Sequence, residues 1–304
     1  MPRWLQQLAT VVSVVGGVAL FVVFARSIDL RATWAAIAQA NLALLLLATL
    51  ANALATALRA WRWQFLLEPR ISLARLTRYT FAAYAANNVL PARAGEALAA
   101  WEVARREQLP FAKAAGSLLL GHLMDAVSLV PFVAPLPFVL ALPLWVKRLL
   151  VGVIVVAVVG LVIAVWFAGL RSPRAIIGSF VTSLLAWALE VVVVLAVLRA
   201  VGIDISWWAG PLLMLVVNLL IALPSAPASV GAHEAGSMAA LSILAVSGPA
   251  ALSFALAFHA VQIVSVMVPG VPFLQRIIAE RVKAKGAPGT YGPAFRRPSG
   301  IRAP

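Results

Sequence analysis

The chain has 304 residues, of which 63% are hydrophobic and 11% charged, with a mean hydropathy of +1.00. Soluble chains carry roughly a quarter charged residues, so this composition excludes a soluble globular domain and points to an integral membrane protein. Cysteine is absent, which removes disulfides, iron–sulfur ligation and thiol nucleophiles. The formal charge of +14 fits basic loops flanking membrane spans rather than nucleic-acid binding.

A spanning helix needs about 20 mainly apolar residues. The first apolar run, about 5–25, is too long for a cleavable signal peptide and lacks an A-x-A site, so it reads as a span. A short amphipathic link follows over 28–40, with Asp29 and Arg31. The second span, Leu42 to Leu66, ends in Arg59, Trp61, Arg62 and Trp63, a cationic and aromatic mixture typical of a membrane interface. Phe81 to Leu90 is too short to cross; the chain breaks at Pro91 and resumes as a helix through Trp101 to Arg105 and Arg106. A long apolar helix covers Phe111 to Leu142, interrupted late by Pro131, Pro135 and Pro137. Further spans run to about Ala168 and from about Arg174 to Leu198. Trp207 to Leu223 then breaks at Pro224 and Pro227, resumes over Ala232 to Val246, and is followed by a last span over 249–274. The tail from Arg281 is rich in Pro, Gly, Lys and Arg and reads as disordered.

The expected fold is all-α and polytopic, with six full crossings and two re-entrant hairpins, about 73–104 and 207–246. Returning both hairpins to their face of entry puts Arg59, Arg62, Arg70, Arg75, Arg78, Arg105, Arg106, Lys113, Arg171, Arg174 and the tail inside and leaves Arg26, Arg31, Lys147, Arg148 and Arg199 outside, as the positive-inside rule asks. Both termini are then cytoplasmic. The same bookkeeping divides the chain into halves of opposite orientation, 1–145 and 146–280, with a tail over 281–304. Inverted repeats with broken helices at mid-membrane are a secondary-transporter design. A short echo supports it: Pro91-Ala92-Arg93-Ala94-Gly95 followed by Glu96, and Pro227-Ala228-Ser229-Val230-Gly231 followed by Glu234.

Ionised groups at membrane depth are costly and mark function. Each hairpin offers the N-terminus of its second arm, where free N–H groups and the helix dipole attract anions. Facing each other beside Arg93, whose forked donors suit phosphate, they form a cradle for an acidic lipid head group. Asn88, Pro91, Arg93, Gly95 and Glu96 build the first tip; Ser225, Ser229, Gly231 and Glu234 build the second. The competing reading is that Glu96 and Glu234 cap these donors, with Arg93 paired to Glu96. Glu96, Asp125, Glu190 and Glu234 set four carboxylates against the single fixed cation Arg93. Protonated carboxylates, histidines or a bound cation must then supply the balance. Gating or proton coupling is accordingly expected at Asp125, Glu190, His233 and His259, with Glu190 and Glu234 as carriers; a static hydrogen-bonded network is the alternative. No enzyme motif is found. His233-Glu234 has Ser237 where a zincin needs its second histidine, and Walker loop and nucleophile elbow are both missing. Neither a metal nor another cofactor is expected.

Asn88-x-x-Pro91-x-Arg93-x-Gly95-Glu96, then Asp125, Trp187 with Glu190, and Leu223-Pro224-Ser225-Ala226-Pro227 leading to Gly231 and Glu234 resemble the lysylphosphatidylglycerol synthase transmembrane-region family, also called the flippase-like membrane domain. The resemblance covers the chain from the first span to about Leu274. It implies translocation of an amphiphilic lipid between leaflets of the bacterial cytoplasmic membrane, with the lipid as the partner and lipid-biosynthesis enzymes as further ones. The alternative it implies is a non-transporting accessory protein of envelope-lipid, glycolipid or hopanoid biosynthesis. An intramembrane enzyme ranks below both. This chain departs from the family in carrying Gly121-His122 where many relatives have Glu-Arg, and Ala228 where Gly is frequent. No aminoacyl-transferase domain follows, so lipid synthesis is not expected.

Overall fold

A computed structural model describes residues 30–67, 71–90, 94–167, 172–222 and 227–286. The expected span over 5–25, the tip residues Pro91, Arg93 and Ser225, and the tail beyond Gly286 lie outside the described residues.

The described chain is helical: α1 Leu30–Ala38, α2 Leu42–Leu66, α3 Leu73–Val89, α4 Ala94–Arg106, α5 Phe111–Val133, α6 Leu136–Val139, α7 Leu144–Phe167, α8 Pro173–Ala200, α9 Ala209–Ile221, α10 Ala232–Ile243 and α11 Gly248–Gly286. Helix starts follow local chemistry. The Asn41 side-chain oxygen accepts the N–H groups of Ala43 (3.0 Å) and Leu44 (3.2 Å) at the head of α2. Pro173, which has no N–H to lose, opens α8. Among the described residues four helices are long and apolar enough to cross a bilayer: Leu42–Leu66, Phe111–Val139, Pro173–Ala200 and Gly248–Glu280. The protein is a multi-pass membrane protein. The 24-residue α7 is also of spanning length, and turns Val151, Val155, Val156, Val159 and Val162 outward.

The late interruption expected in the apolar run to Leu142 falls at Ala134 and Pro135: the helix passes through Pro131, is broken at those two residues and ends as the single turn α6. One expectation changes. The last helix continues to Gly286, six residues into the segment expected to be disordered.

The longest packing seam joins α2 to α8. Gly178 lets it close, since a Cβ there would meet the Phe65 ring at 2.6 Å. The broken segments are short helix pairs. The arms α3 and α4 have 17 and 13 residues, and α9 and α10 have 13 and 12. At 1.5 Å per residue even the longest reaches only about 26 Å, less than a hydrocarbon core of about 30 Å. In each pair a glycine on the second arm permits backbone contact: a Cβ on Gly95 would lie 2.0 Å from the Ala83 carbonyl, and one on Gly236 would lie 2.9 Å from the Val217 Cα. The Pro227–Ser229 turn between α9 and α10 packs against α3, so the two broken elements touch. Helix α11 runs along both of them, with Gly270 against the Phe81 carbonyl of α3.

Candidate functional site

At the first tip, the Asn87 side-chain oxygen accepts the Gly95 N–H at 2.8 Å, satisfying a free donor at the head of α4. Asn88, named from the sequence, instead turns back along its own helix and donates to the Tyr84 carbonyl at 3.0 Å. Glu96 reaches the His122 Nε2 of α5 at 2.8 Å, with side chains 20% and 38% exposed.

Beneath this tip lies a charged layer that the sequence placed at the membrane interface. Arg59 and Arg62 turn inward from the last turns of α2, and Arg62 is only 5% exposed. An Arg59 Nη2 donates to Glu190 on α8 at 3.0 Å, and its guanidinium lies 5.8 Å from the centroid of the Trp187 ring. Gln262 of α11 donates to the other Glu190 oxygen at 3.1 Å. Arg62 is ion-paired with Asp125 on α5 and donates to the Ser183 hydroxyl at 3.1 Å. Trp187 Nε1 donates to the Asp125 backbone carbonyl at 2.8 Å. Gly121 provides the room, because a Cβ there would stand 3.2 Å from the Arg62 guanidinium. The expectation of four carboxylates around one cation is therefore corrected. Asp125 faces Arg62, Glu190 faces Arg59, Glu96 faces His122 and Glu234 faces His259. The polar residues Asn52, Thr56, Arg59 and Trp63 recur at spacings of three and four along one stripe of α2, which was the available signal for burial.

The second tip is built differently. Ala228 (φ 56°), Ser229 (φ 57°) and Gly231 (φ 84°) take left-handed conformations in succession. Glycine is the relaxed choice for such backbone, so the side chain of Ala228 is held there at a cost. Glu234 accepts the Gly231 N–H at 2.7 Å and meets His259 Nδ1 at 2.5 Å. His259 Nε2 lies 2.8 Å from the Ala228 carbonyl. The His233 ring stacks on His259 with centroids 4.4 Å apart. Glu234 thus caps the helix, as one sequence reading held, and also ties the tip to α11.

The two tips correspond by helix position. Glu96 and Glu234 are each the third residue of the short helices α4 and α10, and His122 and His259 are each the twelfth residue of α5 and α11. Arg59 and Glu190, which pair with each other, are both the eighteenth residue of α2 and α8.

A small pocket lies between α2, α3, α4 and α5. Arg59, Arg62, Tyr84, Glu96, Ser117 and His122 give it polar walls, and Trp63, Leu66 and Leu118 give it apolar ones. Among the described residues no three His, Asp or Glu side chains gather as metal ligands would. Away from the cavity, the fully buried Glu102 receives Arg106 at 2.9 Å and Arg105 at 3.2 Å, and Arg106 also pairs with Glu280 of α11. The carboxylates of Glu102 and Glu280 hold the Arg106 charge even more firmly than usual, raising its pKa. This anchors the base of the first hairpin.

The family model described as Lysylphosphatidylglycerol synthase TM region matches residues 7–171 and 167–270. No curated protein matches the chain significantly.

Proposed function

The chain belongs to the lysylphosphatidylglycerol synthase TM region family, and on that premise we propose that it binds an amphiphilic lipid through an anionic head group and carries it across the bacterial cytoplasmic membrane. The observation that carries this reading is the pocket edged by Arg59, Arg62, Glu96 and His122 between α2 and the first broken element, which the second broken element also touches. A cavity with guanidinium groups below the membrane surface suits a phosphate better than a neutral solute. Arg93 at the first tip adds a third cation in this reading.

The broken elements act as re-entrant hairpins in inverted halves, with α7 and the segment 5–25 completing six crossings. Support comes from arms too short to cross and from matching helix positions for Glu96 and Glu234, His122 and His259, and Arg59 and Glu190. Cytoplasmic termini follow from the basic residues, and the role is non-catalytic. One observation favours the second reading, a non-transporting accessory of envelope-lipid, glycolipid or hopanoid biosynthesis: Arg59 and Arg62 already have carboxylate partners.

Leaflet exchange of labelled phosphatidylglycerol in vesicles containing the purified protein separates the two. Wild type is expected to reorient the lipid. Arg59→Lys keeps the charge but loses the fork, and Arg93→Ala loses the charge; a charged hydrogen bond of about 1.5–3 kcal/mol makes each at least about tenfold slower. Exchange no faster than in protein-free vesicles for every anionic lipid tried, with the protein folded, would overturn transport and leave the accessory role.

A further inference from the structure

The second tip is fastened by a bridge whose geometry fixes its proton count. The Ala228 carbonyl can only accept a hydrogen bond, so the His259 Nε2 that it meets at 2.8 Å carries a hydrogen. At the opposite corner of the ring, Nδ1 stands 2.5 Å from a Glu234 oxygen. Two lone pairs repel at that separation, so a second proton lies between them. It belongs either to an imidazolium facing a carboxylate or to a neutral imidazole facing a carboxylic acid. Both arrangements have the same proton count and the same net charge of zero. The other Glu234 oxygen meanwhile accepts the Gly231 N–H. One carboxylate–imidazole pair thus grips the backbone on both sides of the turn, at Ala228 and at Gly231.

We propose that Glu234 and His259 form a proton-binding site that latches the second tip to α11 while occupied and releases it when the shared proton leaves. On release the Nδ1–H bond breaks, the proton passes to water, and a carboxylate is left facing an imidazole lone pair. The carboxylate and the Nδ1 lone pair then repel, the ring turns away and the Nε2–H bond to the Ala228 carbonyl breaks with it, so the Pro227–Ser229 turn, which packs against α3, loses its tie to α11. The proposal rests on the translocation reading for its purpose, a coupling ion that frees one tip, but not for the existence of the site.

The surroundings favour this pair over the other carboxylates. Asp125 and Glu190 face guanidinium groups, which do not give up protons. Around His259, α10 contributes Glu234 and the stacked His233. Glu190 of α8, with Arg59 of α2, reaches α11 at Gln262, about one turn further on. From α3, Arg78 lies over Phe273, well down the helix, and Tyr84 lines the cavity. Helix α1, which bears Arg31, meets α11 at Pro249 and Ser253, ahead of His259.

With three histidines and no cysteine in the sequence, both halves of the test are clean. Nitrogen-15 NMR of histidine-labelled protein in nanodiscs reads the His259 ring. A spin label on Val230→Cys, an exposed tip position, reads tip mobility by EPR. In wild type the His259 Nδ1 proton is expected to vanish on alkaline titration as the mobile spin-label fraction rises severalfold. Glu234→Gln can donate its amide to Nδ1 and still accept from Gly231, so its tip stays immobile over the same range. A wild-type His259 without an Nδ1 proton at neutral pH, or equal alkaline release in Glu234→Gln, would overturn the latch. The wild-type titration decides even if the variant does not fold. Neither readout needs lipid movement, so a failure of translocation is seen separately in the vesicle assay.

Discussion

The first and second tips use the same helix position for their glutamates and put it to different uses. Glu96 meets His122 on the wall of a cavity, in a pair left partly exposed, beside two arginine–carboxylate pairs. Glu234 meets His259 in a dry pair, with side chains only 6% and 8% exposed. One tip is wet and rich in permanent charge; the other is sealed and relies on a proton. Matching positions along two pairs of helices therefore need not make matching sites. Once the glutamate and the closing-helix histidine are held in register, burial alone decides whether the pair can exchange with solvent.

The largest expected effect lies under the wet tip. Arg62→Ala strands Asp125 inside the helix packing, and losing one partner of a buried pair costs about 3–5 kcal/mol. Thermal unfolding in detergent should show a drop large enough to reduce the yield of folded protein. An unchanged transition would mean that water reaches Asp125 freely. Next come the close approaches. Gly95→Ala drives a Cβ to 2.0 Å from the Ala83 carbonyl and should separate the first hairpin's arms at a cost of about 1–3 kcal/mol, read by the same melt. The contrast is sharpest in the histidines. His259→Ala removes buried hydrogen bonds to charge and should cost about 1.5–3 kcal/mol, whereas the partly exposed pair lost in His122→Ala is worth about 0–1 kcal/mol. Equal losses would erase the distinction between the tips. The smallest effect is a gain: Ala228→Gly relaxes a left-handed residue and should raise stability by a few tenths to about 1 kcal/mol.

Much of the fold was legible because its signals are local. The α2 boundaries expected from hydropathy, Leu42 and Leu66, are those observed, with Asn41 supplying the cap. The breaks between α3 and α4 and between α9 and α10 were legible because proline and glycine cluster there, whereas single ones such as Pro131 and Pro269 stay inside helices. The site was half legible. Glu96 and Glu234 show themselves as acids in a first turn, and His259 as a polar residue in an apolar helix. Arg59 and Arg62 were misread because basic residues at a helix end look like topological signals, while their partners Glu190 and Asp125 lie on other helices far along the chain. Asn87 and Asn88 are adjacent and chemically identical; only the helical phase decides which one caps Gly95. The echo itself misled slightly, since aligning the glycines shifts the glutamates, whereas helix position aligns them.

The account depends on two broken elements that pack against each other and must part for a lipid to pass. A cysteine-free chain allows that to be tested directly with Asn88→Cys and Ser229→Cys joined by a short cleavable cross-linker in vesicles. The pair is predicted to link efficiently, to stop phosphatidylglycerol exchange, and to restore it when the linker is cleaved. Failure to link in folded protein, or exchange continuing at the wild-type rate while linked, would contradict it.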